Sequence, residues 1–166
     1  LEGFAWPCFN GVALAVSSFV GRALGEGAPE KAQEVIRKAL PLTTGLGVIA
    51  ALVFFFGADA LTGLLTRDPQ VHAAAIDYAQ VLAASQLFVA WETLSEGVLT
   101  GAGDTRTVFW LSTPLNLVRI PLAWLLAFPL GWGAVGVWWA INLTTYVKAS
   151  LKAWAVWRGR WQQLEI

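Results

Sequence analysis

The chain has 166 residues, of which 57% are apolar and 13% charged, and its eleven Lys and Arg balance eleven Asp and Glu. Zero net charge removes a general electrostatic case for nucleic acid, and the apolar content excludes disorder, which needs low hydrophobicity and high net charge. Ten Trp and nine Phe spread along apolar runs are more than a soluble core of this length requires, so the bilayer is the expected solvent.

The chain opens Leu1-Glu2-Gly3 and contains no Met, so it is expected to be a piece of a longer protein. The first apolar stretch, 3–23, carries Pro7 as an interruption and Cys8, the single cysteine, so no disulfide framework closes within the chain. Residues 29–40 are amphipathic, with Pro29 suited to a first turn and Glu30 and Glu34 one turn apart, and predict an interfacial helix. A second stretch, 41–61, has Lys38 at its edge and Pro41 in its expected first turn. Three more follow at 72–99, 108–130 and 132–157. Each is long enough to cross the hydrocarbon at about 1.5 Å per residue, and none alternates as a barrel strand does. The predicted fold is all-α, a polytopic membrane protein with five transmembrane helices.

Charge in the connections predicts orientation. Arg22, Lys31, Arg37 and Lys38 follow the first span, Arg106 the third, and Arg158 and Arg160 the last, whereas the alternate loops hold only Arg67. By the positive-inside rule, the basic loops and the C-terminus are cytoplasmic.

Ionisable residues inside spans are costly and therefore functional candidates. Glu92 and Glu96 stack one turn apart, about 12 Å and about 6 Å from the Thr100 end of their span. Two carboxylates so close repel, and the pair is a natural proton or cation acceptor; alternatively, either glutamate pairs with Arg119 or Lys148 to neutralise a buried charge. Arg119, mid-way along its span, is expected to face the interior and find a carboxylate or carbonyl, and Lys152 to snorkel to the cytoplasmic headgroups. Asp59, Asp68 and Asp77 belong near the outer surface. Pro114 and Pro121 permit kinks. Trp132, Trp138 and Trp139 at one end of the last span and Trp154, Trp157 and Trp161 at the other predict two interfacial belts, while Trp91 and Trp124 lie deeper. His72 stands alone, so no metal site or prosthetic cofactor is expected, and no hydrolase or metalloprotease motif is present. Asn142-Leu143-Thr144 matches a glycosylation acceptor only in form, inside a span.

Two local patterns say more. Val20-Gly21-Arg22-Ala23-Leu24-Gly25-Glu26-Gly27-Ala28-Pro29-Glu30-Lys31-Ala32 closes the first span, and Gly97-Val98-Leu99-Thr100-Gly101-Ala102-Gly103-Asp104-Thr105-Arg106 closes the third. Gly21 and Gly25, like Gly97 and Gly101, are four apart, where small residues let helix backbones approach; Gly103 can end a helix and Asp104 or Thr105 cap the next. With Arg119-Ile120-Pro121-Leu122-Ala123-Trp124 and Ala127-Phe128-Pro129-Leu130-Gly131, these patterns resemble the multidrug and toxic compound extrusion (MATE) family along nearly the whole chain.

The resemblance implies that residues 1–166 are the last five of twelve helices, most of a C-terminal six-helix lobe whose N-terminal lobe lies elsewhere. It implies export of amphiphilic or cationic small molecules in exchange for Na⁺ or H⁺ across a bacterial inner membrane. Relatives often carry an acidic residue one turn before Glu92, where this chain has Val89. The alternatives are a flippase for lipid-linked saccharides and a non-transporting membrane scaffold subunit.

Overall fold

The computed structural model describes residues 2–163, which are helical almost throughout. The elements are α1 (Glu2–Gly25), α2 (Pro29–Phe56), α3 (Ala58–Leu65), α4 (Pro69–Ala83), α5 (Gln86–Gly101), α6 (Thr105–Ala127) and α7 (Gly133–Trp157), ending in a 3₁₀ turn, Arg160–Gln163. Helix α5 is the axis of the bundle: it packs on α1, α2 and α7, and α7 carries α6 on its other side. It buries Ala90, Leu94, Ser95, Gly97, Val98 and Leu99, whereas α6 buries only Leu126. Leu14, Phe19, Ile49, Phe56, Ile120 and Phe128 point outward and stay exposed. So broad an apolar surface is at home in lipid, and the chain is a multi-pass membrane segment.

The span boundaries differ from expectation at three places. First, no separate interfacial helix exists at 29–40: α2 runs unbroken from Pro29 through Pro41 to Phe56. Residues 30–40 contain no glycine or turn former, and proline's fixed φ is helical, so Pro41 removes one donor without ending the helix. The amphipathic stretch packs inward, burying Ala32 and Ala39 in a cluster with Val20, Leu99 and Trp161. That cluster also corrects Trp161, which is 1% exposed and donates its indole N–H to the Val156 carbonyl instead of joining a lipid belt.

Second, α2 stops at Gly57, whose N–H bonds Val53 O at 2.9 Å, and residues 58–65 form a separate helix. Third, the 72–99 span is two helices bent by 55° at Ala84-Ser85. Inside a membrane the carbonyls freed at such a break need donors. Helix α7 supplies them: Asn142 Nδ2 donates to Val81 O at 2.7 Å and the Tyr146 hydroxyl to Ala84 O at 3.2 Å. Ser85 Oγ donates to Leu82 O within the break.

By length and apolarity, α1, α2 and α6 qualify as spans, and α4 with α5 makes a fourth as a bent pair. The fifth expected span, α7, has the length but not the apolarity, because its inner face is given to Asn142, Thr144, Thr145, Lys148 and Lys152, all buried.

Both glycine motifs end helices by the same device. Gly27 and Gly103 have φ of 67° and 75°. At each, the next residue's N–H reaches five residues back: Ala28 N to Ala23 O at 2.9 Å and Asp104 N to Leu99 O at 2.8 Å. Asp104 then caps α6, accepting from Thr107 N at 3.2 Å. The packing glycines divide unequally. A Cβ on Gly97 would lie 2.5 Å from Ala13 O, one on Gly101 would overlap the Ser17 backbone, and one on Gly21 would lie 2.9 Å from Gly101 O, so α1 and α5 touch backbone to backbone. Gly25 meets nothing within 4 Å, which removes it from that interface. The helix has by then passed the end of α5, and Gly25 only precedes the turn at Gly27.

Candidate functional site

Helices α5 and α7 lie side by side, and each presents two charges one turn apart toward the other. Glu92 and Glu96 come from α5; Lys148 and Lys152 come from α7. The result is a staggered ladder: Lys148 Nζ and Lys152 Nζ each lie 3.0 Å from Glu92 Oε1, and Lys152 Nζ lies 2.6 Å from Glu96 Oε2. The Lys152 side chain is 0% exposed, Lys148 10% and Glu92 13%, while Glu96 is 48% exposed at the end of the ladder. Bare charges at this burial would be prohibitive; these offset one another.

Lys152 does not snorkel. Its ammonium is the only one to touch both carboxylates, and it is the most enclosed charge in the ladder. Like-charge repulsion between Glu92 and Glu96 is therefore answered by the Lys152 ammonium that bridges them, with Lys148 adding a second positive charge on Glu92.

Arg119 takes neither of the partners expected for it. Its Nε donates to Thr144 Oγ1 at 2.8 Å, and that hydroxyl donates in turn to Ala140 O at 2.8 Å and Ile141 O at 3.0 Å on its own helix. Thr144 thus holds the root of the guanidinium against α7, and among the described residues no carboxylate pairs with Arg119.

All of these charges except Lys152 border a cavity of about 330 Å³ between α1, α5, α6 and α7. Glu92, Glu96, Arg119 and Lys148 line it together, beside Gln86, Thr93 and Thr145, while Trp6, Phe9 and Asn10 of α1 form the facing wall. Val89 lies on the same wall as Glu92, so an acidic side chain at either position would border the same space. Gly21, Gly97 and Gly101 are away from the cavity, in the α1–α5 contact, and Gly103 and Asp104 are in the following turn.

Trp91, weighed as a cavity residue, instead ties α5 to α2 by donating to Thr44 Oγ1 at 3.0 Å. Trp124 is 60% exposed on the outer side of α6. His72 has its Nε2 3.5 Å from Asp59 Oδ1, near the α3–α4 junction. Among the described residues no three His, Cys, Asp or Glu side chains gather as a metal site.

The residues missed in the sequence are Lys152 and Thr144. A signal for Lys152 is present: Glu92 and Glu96 repeat at four, Lys148 and Lys152 repeat at four, and two such pairs match when their helices run alongside. Nothing local marks Thr144.

The sequence profile of the MatE family matches residues 3–125. A probable multidrug resistance protein NorM of Pseudomonas aeruginosa is 32% identical over 137 residues, which are 79% of this chain and 28% of that protein. Among solved structures, the inward-facing conformation of a multidrug resistance MATE family transporter matches with a TM-score of 0.83 at 26% identity, over 89% of this chain and 33% of that one. The outward-facing conformation of a transporter of that description matches at 0.85 and 25%, over 95% and 37%. The chain therefore spans between 28% and 37% of the length of these relatives. With most of its length under the family profile and its fold shared with transporters caught facing both ways, the chain belongs to the MATE family.

Proposed function

We propose that this chain is part of a secondary-active exporter in which Glu92, assisted by Glu96, couples the inward movement of an ion to the outward movement of amphiphilic or cationic small molecules. The observation that carries the proposal is the position of Glu92: mid-helix and largely enclosed, on the wall of a cavity, with two ammonium groups on one carboxylate oxygen.

Adding a proton to Glu92 removes the negative charge that holds Lys148 and Lys152 together. A neutral ladder becomes net positive in a low-dielectric setting, and both the α5–α7 contact and the charge of the cavity change in one step. Either ion, Na⁺ or H⁺, must compete with the two ammonium groups for the Glu92 carboxylate, a sodium ion by displacing them and a proton against the positive charge that stabilises the anion.

The likeness to both inward- and outward-facing relatives supports a bundle that moves as one body against a second lobe. The multidrug resistance named for those relatives supports the substrate class. The helix ends that carry Arg22, Lys31, Lys38 and Arg106, beside the α1–α2 and α5–α6 turns, and the C-terminus face the cytoplasm in this reading, and the membrane is the bacterial inner membrane.

A second reading is favoured by the complete pairing of Glu92: the ladder is a clamp that fixes α5 to α7 and carries no ion. Gradient-driven uptake of a fluorescent organic cation into vesicles holding the full-length protein separates the two. In the first reading Glu92→Gln abolishes the response to a proton gradient at unchanged expression. Wild-type uptake in that variant would leave only the clamp.

A further inference from the structure

Past its last turn, the chain after α7 folds back onto the bundle. Gly159, at a φ of 71°, makes the turn, its N–H bonding Val156 O at 3.1 Å, and the 3₁₀ turn Arg160–Gln163 follows. Trp161 points inward from there. Its indole N–H donates to Val156 O at 2.8 Å, and its buried ring joins a cluster with Val20 and Ala23 of α1, Ala32 and Ala39 of α2, and Leu99 and Ala102 of α5. Beside it, Gln33 Nε2 of α2 donates to Gln162 Oε1 at 3.0 Å. The cluster is built wholly from described helices, and it encloses the ring by itself.

Helix α7 is thus held on both sides of its charged stretch. Asn142 and Tyr146 grip the α4–α5 break before Lys148 and Lys152, and Trp161 grips α1, α2 and α5 after them. A helix turns by about 100° per residue, so a rotation of that size carries both lysines off α5. While Glu92 is charged, the ion pairs of the ladder themselves oppose such a rotation. Once Glu92 is neutral, Lys148 loses its ion pair in the ladder and Lys152 keeps only Glu96. An apolar clamp is indifferent to that change, because its hold comes from buried area and packing.

Resting on the reading of Glu92 as the group that takes up the coupling ion, we propose that Trp161 is a positioning residue for that site. It fixes the rotation of α7, so that Lys148 and Lys152 still face α5 while Glu92 is neutral and the ladder re-forms when the charge returns.

Amine labelling of the full-length protein in nanodiscs, with no gradient and no substrate, tests this. Modification of Lys152 by phenyl isothiocyanate is followed by mass spectrometry, with exposed Lys38 as the reference and Glu92→Gln standing for the neutral glutamate. Lys152 should label slowly in Glu92→Gln, about tenfold faster when Trp161→Ala is added, and slowly again with Trp161→Phe in place of the alanine, since a second aromatic ring fills the same cluster. Trp161→Ala alone should leave Lys152 slow, because the charged ladder then holds α7; a residue that merely stabilised the bundle would release Lys152 in that variant too. Fast labelling in either single variant, or equal labelling of Glu92→Gln with and without Trp161→Ala, would overturn the proposal. If Trp161→Ala does not fold, Trp161→Leu, a smaller truncation, makes the same comparison. Because labelling needs no gradient, failure of ion coupling leaves this result standing, and unchanged labelling leaves ion coupling standing.

Discussion

A lysine ammonium with no exposed side-chain surface persists in a membrane bundle only if its charge is answered on the spot, and Lys152 has two carboxylates to do so. Breaking such a group from one side leaves uncompensated charge behind, at a cost of about 3 kcal/mol or more. Lys152→Met should therefore lower the detergent-unfolding midpoint by that order, and restoring balance with Lys152→Met plus Glu96→Gln should recover part of it. The contrast is Glu26, exposed in the turn after α1, where a hydrogen bond from Arg22 and then one from Lys31 hold its carboxyl below the usual carboxylate range. A lowered value in the folded state means that its contribution is present at neutral pH and lost as pH falls through that lowered value. Water and salt screen this pair, so Glu26→Gln should leave the unfolding midpoint at pH 7 unmoved.

Both glutamates were legible in the sequence as charges within a span at helical spacing, Glu92 the deeper of the two. Of their partners, Lys148 was weighed and does pair with Glu92, but Lys152 was not foreseen, because counting from a helix end gives depth but not the rotation of α7 about its axis. Depth alone put Lys152 near the headgroups; rotation put it between two carboxylates.

At the scale of elements, the bundle is set by where backbones may touch. Gly97 and Gly101 admit α1 against α5, and a methyl group at either would meet the Ala13 or Ser17 backbone. Gly97→Ala or Gly101→Ala should cost about 1–3 kcal/mol of stability through overpacking. Gly25→Ala, with nothing within 4 Å of the added carbon, should be neutral or slightly stabilising by less than about 1 kcal/mol. Thermal unfolding of the three variants in one detergent checks both signs. The four-residue glycine spacing was readable, but it could not distinguish the pair that packs from the glycine that only precedes a turn. The bend at Ala84-Ser85 was unreadable for a related reason: no glycine or proline lies there, and the donors that satisfy it, Asn142 and Tyr146, come from a helix about sixty residues later. Likewise, Pro41 suggested a helix start by local rules, yet the packing of Ala32 and Ala39 carries α2 straight through it.

At the scale of the whole molecule, most large apolar side chains of α2 and α6 face outward, while the polar face of α7 turns inward to hold the bend and the charge ladder in one bundle. Apolar composition and basic loops made the membrane class legible, and collinear motifs made the family legible. The cavity was not, since α1, α5, α6 and α7 meet there from distant parts of the chain. The central claim, that the ladder couples an ion to substrate movement, makes different demands on two modes of transport by one variant. In proteoliposomes of full-length Glu92→Gln, substrate counterflow without a gradient and uptake driven by a proton gradient should be compared with wild type. The account predicts that counterflow persists while the gradient no longer accelerates uptake; gradient-driven acceleration equal to wild type would contradict it.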